Sequence, residues 1–258
     1  MQNLEEFHQQ MFSKYRTELA RTPACVEFVT SDWCIRPRTV QSDAMVYSMF
    51  LDEFVREIFN SLNGLINITR RITAWSRALV GLSEEERIEL VHETIDSVAT
   101  TALNAPYAIR SRFYFAVAHL SHQANKFTME DLWVDDLRLD GEIIKQDAHD
   151  KAKGWSNWRK LNSKLDLVAG NKFKTATDDF RNKYNHRFSP HFELGLSETV
   201  KRIPSHALPT AVQEAMGVQG ISKSDSSRFI YAFGGTPPLK IDDLVRALED
   251  ECRAFTGC

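Results

Sequence analysis

Arg181-Asn182-Lys183-Tyr184-Asn185-His186 sets a permanent cation, an amide and a titratable imidazole within six residues. An arginine offers a planar fork of donors to phosphate oxygens, and an imidazole moves protons near neutral pH. Together they are what cleavage of a phosphodiester requires. The bare Arg-to-His spacing recurs at Arg87/His92 and at Arg112/His119, so the surroundings must discriminate. Arg87 precedes Ile88, and His92 borders the stripe Ile88, Val91, Ile95, which reads as a helix-surface pair. Arg112 precedes Phe113 in the most apolar stretch, where an Arg and a His satisfied by carboxylates elsewhere are expected. Only Arg181 is followed by a polar residue. If the hexad is helical, Asn182 and His186 share a face, whereas Arg181 and His186 stand about 140° apart at 100° per residue. That shortfall suggests a cleft built by two chains. The same residues also read as a solvated helix end, with Arg181 paired to Asp178 or Asn185 acting as a cap.

The elements that would position the hexad are helical. Leu4, Phe7, Met11, Tyr15 and Leu19 recur at three- and four-residue steps and predict a first helix ending near Pro23. A loop with Trp33, Cys34 and Pro37 follows. From Val40 to Leu79 the apolar pattern is nearly continuous, enough for a helix of about 60 Å with a kink expected at Asn63-Gly64. Ser83 and Glu86 form a capping box for a helix running to about Leu103. Pro106 suits the first position of the next helix, to about Ala124. Thr128 and Asp131 open a short segment around Trp133, and a polar helix or helix pair covers Gly141 to Leu167. Asn171 to Arg187 reads as a final core helix stopped by Ser189-Pro190. Phe192 to Val200 fits strand or helix, Gly217 to Pro238 reads as a mobile loop, and Ile241 to Phe255 as an amphipathic helix. No alternating strands stand out. The predicted class is all-α.

Composition narrows the rest. The 258 residues suffice for a full core, and 43% apolar with 26% charged residues is ordinary for a globular chain. A net charge of −3 gives no overall pull toward nucleic acid or membrane. Between Lys145 and Arg187, however, eleven Lys or Arg stand against five Asp, a local basic surface around the hexad. Cys25, Cys34, Cys252 and Cys258 have no metal-like spacing and read as free thiols in a reducing cytoplasm. Met1 to Gln10 is polar and acidic, against a signal peptide, and Tyr107 to Leu120 is too short and too charged to span a membrane. Trp155 and Trp158 lie between basic residues and could stack bases, although two tryptophans at helical spacing are more often core. His119, His122 and His149 with Glu130, Asp131, Asp135 and Asp136 lack a Glu-x-x-His pair, and no metal or cofactor is expected. Gly234-Gly235 runs into Thr-Pro-Pro and reads as a turn rather than a phosphate cradle.

The hexad, placed late in a helical chain and followed by Pro190, resembles the HEPN superfamily, with an Arg-Asn-Lys-Tyr-x-His-Arg run as in prokaryotic members. The likeness covers about Val40 to Arg202. It implies an HEPN-like helical bundle at 40–202, an extra N-terminal helix and loop at 1–39, and a loop-rich C-terminal extension at 203–258 ending in a helix. It further implies a metal-independent endoribonuclease acting as a homodimer, in phage defence or a toxin–antitoxin system. The site residues would be Arg181 on the scissile phosphate, Asn182 orienting it, and His186 as general base or acid. Lys183, Arg187, Lys172, Lys174, Arg159 and Lys160 would contact RNA. An antitoxin or regulatory protein would be a further partner. Phe188 stands where HEPN toxins often carry a tyrosine, so an antitoxin that modifies that tyrosine is not supported. The alternative is a non-catalytic HEPN-like module that binds RNA, nucleotide or a protein.

Overall fold

The computed structural model describes residues 4–30, 44–204 and 229–256. The expectations for Trp33, Cys34, Pro37, residues 40–43, 217–228 and Cys258 lie outside them. The described chain is mostly helical, as its periodicity predicts, and it also contains one two-stranded sheet. It divides into two compact units, Met1–Arg181 with Ile241–Cys258, and Asn182–Lys240.

In the first unit, α1 (Leu4–Arg21) packs on α2 (Met45–Ala78). Tyr15 stacks on Trp75 with ring centroids 4.3 Å apart. The Arg70 guanidinium donates to the carbonyls of Leu19 and Thr22 at 2.8 and 2.7 Å, satisfying the orphan oxygens where α1 ends. α2 runs uninterrupted through Asn63-Gly64, and the Asn63 amide exchanges hydrogen bonds with the backbone of Val29 at 2.8 and 2.9 Å. Its stripe Ile58, Leu62, Leu65, Ile72 and Trp75 is buried.

α3 (Glu84–Leu90) opens with the expected capping box. Glu86 N–H donates to Ser83 Oγ at 3.3 Å, and Ser83 N–H donates back to the Glu86 carboxylate at 2.9 Å. A π-helical turn at Val91–Ile95 then leads into α4 (Asp96–Met129). Pro106 lies inside α4 and does not start a helix. A proline there costs about 3 kcal/mol, yet Ala99, Ala102, Leu103, Pro106 and Tyr107 are all buried. Burial along this face outweighs the local signal.

The polar stretch after α4 is a pair of short helices, α5 (Lys145–Ala152) and α6 (Trp158–Leu165). Ala148, Ala152, Trp158 and Leu165 pack with Tyr114 and Ala118 of α4 in one apolar cluster. The single core helix expected over Asn171–Arg187 is two, α7 (Asn171–Ala176) and α8 (Phe180–His186). Asp178 and Asp179 both adopt φ of 50°, a left-handed conformation that no right-handed helix can contain and that aspartate tolerates better than most residues.

In the second unit, β1 (Val200–Pro204) pairs antiparallel with β2 (Phe229–Phe233), Val200 opposite Phe233 and Pro204 opposite Phe229. Residues 229–233 are therefore strand, where a loop is expected from the Gly, Ser and Pro around them. The chain closes in the first unit with α9 (Ile241–Thr256), whose buried stripe Leu244, Leu248, Cys252 and Phe255 packs against α2, α4 and α7. Cys25 and Cys252 are free thiols, and a hydrogen bond from Cys252 holds the Cys25 thiol below the ordinary range. Among the described residues, no helix is long and apolar enough to cross a membrane.

Candidate functional site

Five of the six hexad residues belong to the second unit and Arg181 to the first, with α8 carrying all of them. Phe180 at the start of α8 is fully buried. Lys183 follows it by three residues, is 8% exposed, and has Nζ 3.5 Å from Glu198 Oε2. The lysine expected to contact RNA is thus committed to an internal carboxylate, because helical spacing carries it to the buried side. Asn182 is half-buried, whereas Arg181, His186 and Arg187 are exposed.

His186 lines a cavity of about 690 Å³ with Lys183, Arg187, Glu198, Lys201 and Arg202 among its walls. Its imidazole makes no hydrogen bond or ion pair among the described residues. Glu198 organises the floor. Burial pushes its carboxyl up, but a hydrogen bond from Thr236 at 2.9 Å and the charges of Lys183 and Lys201 outweigh this and hold it below the usual carboxylate range. With one carboxylate so neutralised, His186 faces a surface of excess positive charge from Arg187, Lys201 and Arg202. Lys201 and Arg202 are cavity residues that sequence reasoning missed. Their signal was the strand pair that brings them back to α8, and nothing local announces it.

Arg181 lies over the ring of Tyr107, 4.7 Å from its centroid, and borders a separate cavity in the first unit with Arg110, Tyr114, Lys145 and Asp166. The other candidate cations divide. Lys172 is tied to Asp250 at 2.7 Å, while Arg159, Lys160 and Lys174 are exposed with no ion pair among the described residues.

The rival pairs behave as structural residues. His92 is exposed with Asp96 3.9 Å away, Arg112 is 3.3 Å from Glu57, and His119 packs on Phe115 with Asp140 at 3.3 Å. Trp158 is core, and its Nε1 donates to His149 at 3.2 Å. Trp155 is 41% exposed. A third cavity, about 410 Å³ and bordered by Trp133, contains His122 and Lys151 but no hexad residue. Both are already paired, His122 with Asp135 at 3.0 Å and Lys151 with Asp136. Among the described residues no three His, Cys, Asp or Glu converge as metal ligands would.

No family model, no curated protein and no solved structure matches this chain.

Proposed function

We propose that the chain is an HEPN-type endoribonuclease that cleaves RNA without a metal and works as a homodimer in the cytoplasm. The observation that carries this reading is His186, an exposed imidazole with no competing partner among the described residues, set in a cavity walled by Arg187, Lys201 and Arg202. Those cations suit a polyanionic backbone. In this mechanism His186 takes the proton from the ribose 2′-hydroxyl, O2′ attacks phosphorus as the P–O5′ bond breaks, and the protonated imidazole returns that proton to the leaving 5′-oxygen. The products are a 2′,3′-cyclic phosphate end and a 5′-hydroxyl end. Arg181 holds the scissile phosphate and the charge that develops on it, and Asn182 orients the group.

Arg181 and His186 leave α8 about 140° apart on the helical wheel, which favours a site completed by a second chain, Arg181 of one with His186 of the other. Phage defence or a toxin–antitoxin system is the setting the resemblance implies, with an antitoxin or regulatory protein as a further partner. Cleavage of RNA in excess EDTA, with product ends identified by mass, tests the chemistry. Wild type is expected to cut and leave 2′,3′-cyclic phosphates, and Arg181→Ala to lose that activity. Activity that EDTA removes, or that Arg181→Ala retains in full, overturns the proposal.

A second reading has its own support. On the two-stranded ribbon, Arg202 faces Tyr231, and Phe229, Tyr231 and Phe233 are 46%, 74% and 95% exposed. Exposed rings beside an arginine are a stacking platform for single-stranded RNA, which needs no general base. A binding module built on that face would keep its affinity when His186 is lost.

A further inference from the structure

One face of α4 carries Tyr107, Arg110, Ser111 and Tyr114 at three- and four-residue steps, and it opens on a cavity of about 310 Å³. Lys145 at the start of α5, Asp166 at the end of α6 and Arg181 complete the wall. Three cations thus surround one carboxylate. That carboxylate is already engaged, because Asp166 accepts from Lys145, from the Tyr114 hydroxyl at 3.1 Å and from Asn162 at 3.3 Å. Arg110 and Arg181 have no carboxylate within ion-pair distance among the described residues. Arg110 is braced through Nη1 on the carbonyls of Val168 and Ala169 at 2.7 and 3.3 Å, which leaves Nε and Nη2 as donors.

Tyr107 supplies the second, independent sign. It is only 7% exposed, yet its hydroxyl has no hydrogen-bond partner among the described residues. Buried hydroxyls are nearly always bonded, so an orphan beside two guanidiniums that have no carboxylate partner among the described residues asks for a ligand. Burial, and then the charge of Asp179, pushes this hydroxyl up, so it stays protonated and able to donate. The missing partner must accept hydrogen bonds and carry negative charge.

We propose that this cavity binds a phosphate monoester, held by the guanidiniums of Arg110 and Arg181 and by the Tyr107 hydroxyl, with Lys145 adding charge at the rim. Planar guanidinium forks match phosphate oxygens, and a monoester carries between one and two negative charges at neutral pH. The site shares Arg181 with the proposed ribonuclease but stands on the cavity alone. Inorganic phosphate, a nucleotide and a phosphorylated RNA end offer the same chemistry.

Calorimetric titration of the full chain with inorganic phosphate, adenosine 5′-monophosphate and adenosine tests the proposal. Both phosphate compounds are expected to bind one to one and adenosine not at all. Tighter binding of the monophosphate than of inorganic phosphate assigns the site to nucleotides or RNA ends, and equal binding assigns it to the free ion. Tyr107→Phe and Arg181→Gln should each weaken binding about tenfold. Arg181 is exposed, so its variant does not threaten the fold. Without ligand, Tyr107→Phe should be at least as stable as wild type, since it removes only an unpaired hydroxyl. No binding of either phosphate compound at millimolar concentration, or unchanged affinity in Tyr107→Phe, overturns the assignment. Phosphate binding by a chain that cuts no RNA would keep this site and sink the ribonuclease.

Discussion

His186→Ala is expected to lower RNA cleavage by about 10²- to 10⁴-fold, the range over which a positioned general base or acid accelerates a reaction. The side chain is exposed, so its loss should change stability by no more than about 0.5 kcal/mol. That separation makes the experiment readable, because lost activity cannot be blamed on unfolding. The histidines elsewhere are poorer candidates. His119 packs among Phe50, Phe54 and Phe115, where burial pushes its imidazole down, and His122 is bonded to Asp135. Equal cleavage rates for wild type and His186→Ala, measured on one labelled RNA with unfolding curves for both, would remove His186 from the chemistry. An RNA affinity that survives in the variant without any cleavage in wild type would favour the stacking face of the ribbon.

Glu251 should make the fold lose stability as pH rises from acid to neutral. It sits in α9 at 5% exposure, and its carboxylate accepts the N–H of Ala169 at 2.8 Å, bracing a residue held at φ of 46°. Burial raises its pKa from 4.5 to about 7, against the Ala169 hydrogen bond and the charges of Arg110 and Lys172, while Asp250 adds to the rise. Between those pH values the folded chain keeps a proton that the unfolded chain releases. The stabilisation is therefore complete below about 4.5 and is lost as pH climbs through about 7. At about 1.4 kcal/mol per tenfold change in proton affinity, the upper bound is about 3 kcal/mol. Glu251→Gln keeps an acceptor for Ala169 but cannot titrate. Urea unfolding at pH 5 and pH 8 should show wild type losing ground to the variant by up to about that amount, with all other titrating groups common to both. Parallel pH profiles would mean that Glu251 is ionised in the fold across the whole range.

What could be read from the chain follows the range of the interactions responsible. α1, α9 and the Ser83–Glu86 cap depend on residues three or four apart, and all lie where the sequence puts them. The β1–β2 pair joins Val200 to Phe233 across a long stretch of sequence, and of the two five-residue strands β2 alternates in burial while β1 does not. Pro106 misleads because its local preference loses to the packing of its neighbours. The helix break at Asp178-Asp179 was hidden for the opposite reason. It rests on two backbone angles in residues that also fit a polar helix face. The hexad was legible as chemistry but not as geometry. Lys183 turns inward to Glu198, a residue twelve positions downstream of His186, and Arg181 meets Tyr107, which reads from sequence as part of an apolar helix.

The two-chain ribonuclease site is tested most directly by mixing inactive chains. Arg181→Ala retains His186, and His186→Ala retains Arg181. Each alone should be inactive in EDTA. Co-refolded, they should form mixed dimers in which one of the two composite sites is intact, and cleavage should return to about a quarter of the wild-type rate for random assortment. Restored, metal-independent cleavage by the mixture is the expected result. A mixture as dead as its components, with mixed dimers demonstrated by mass, would contradict a site shared between chains.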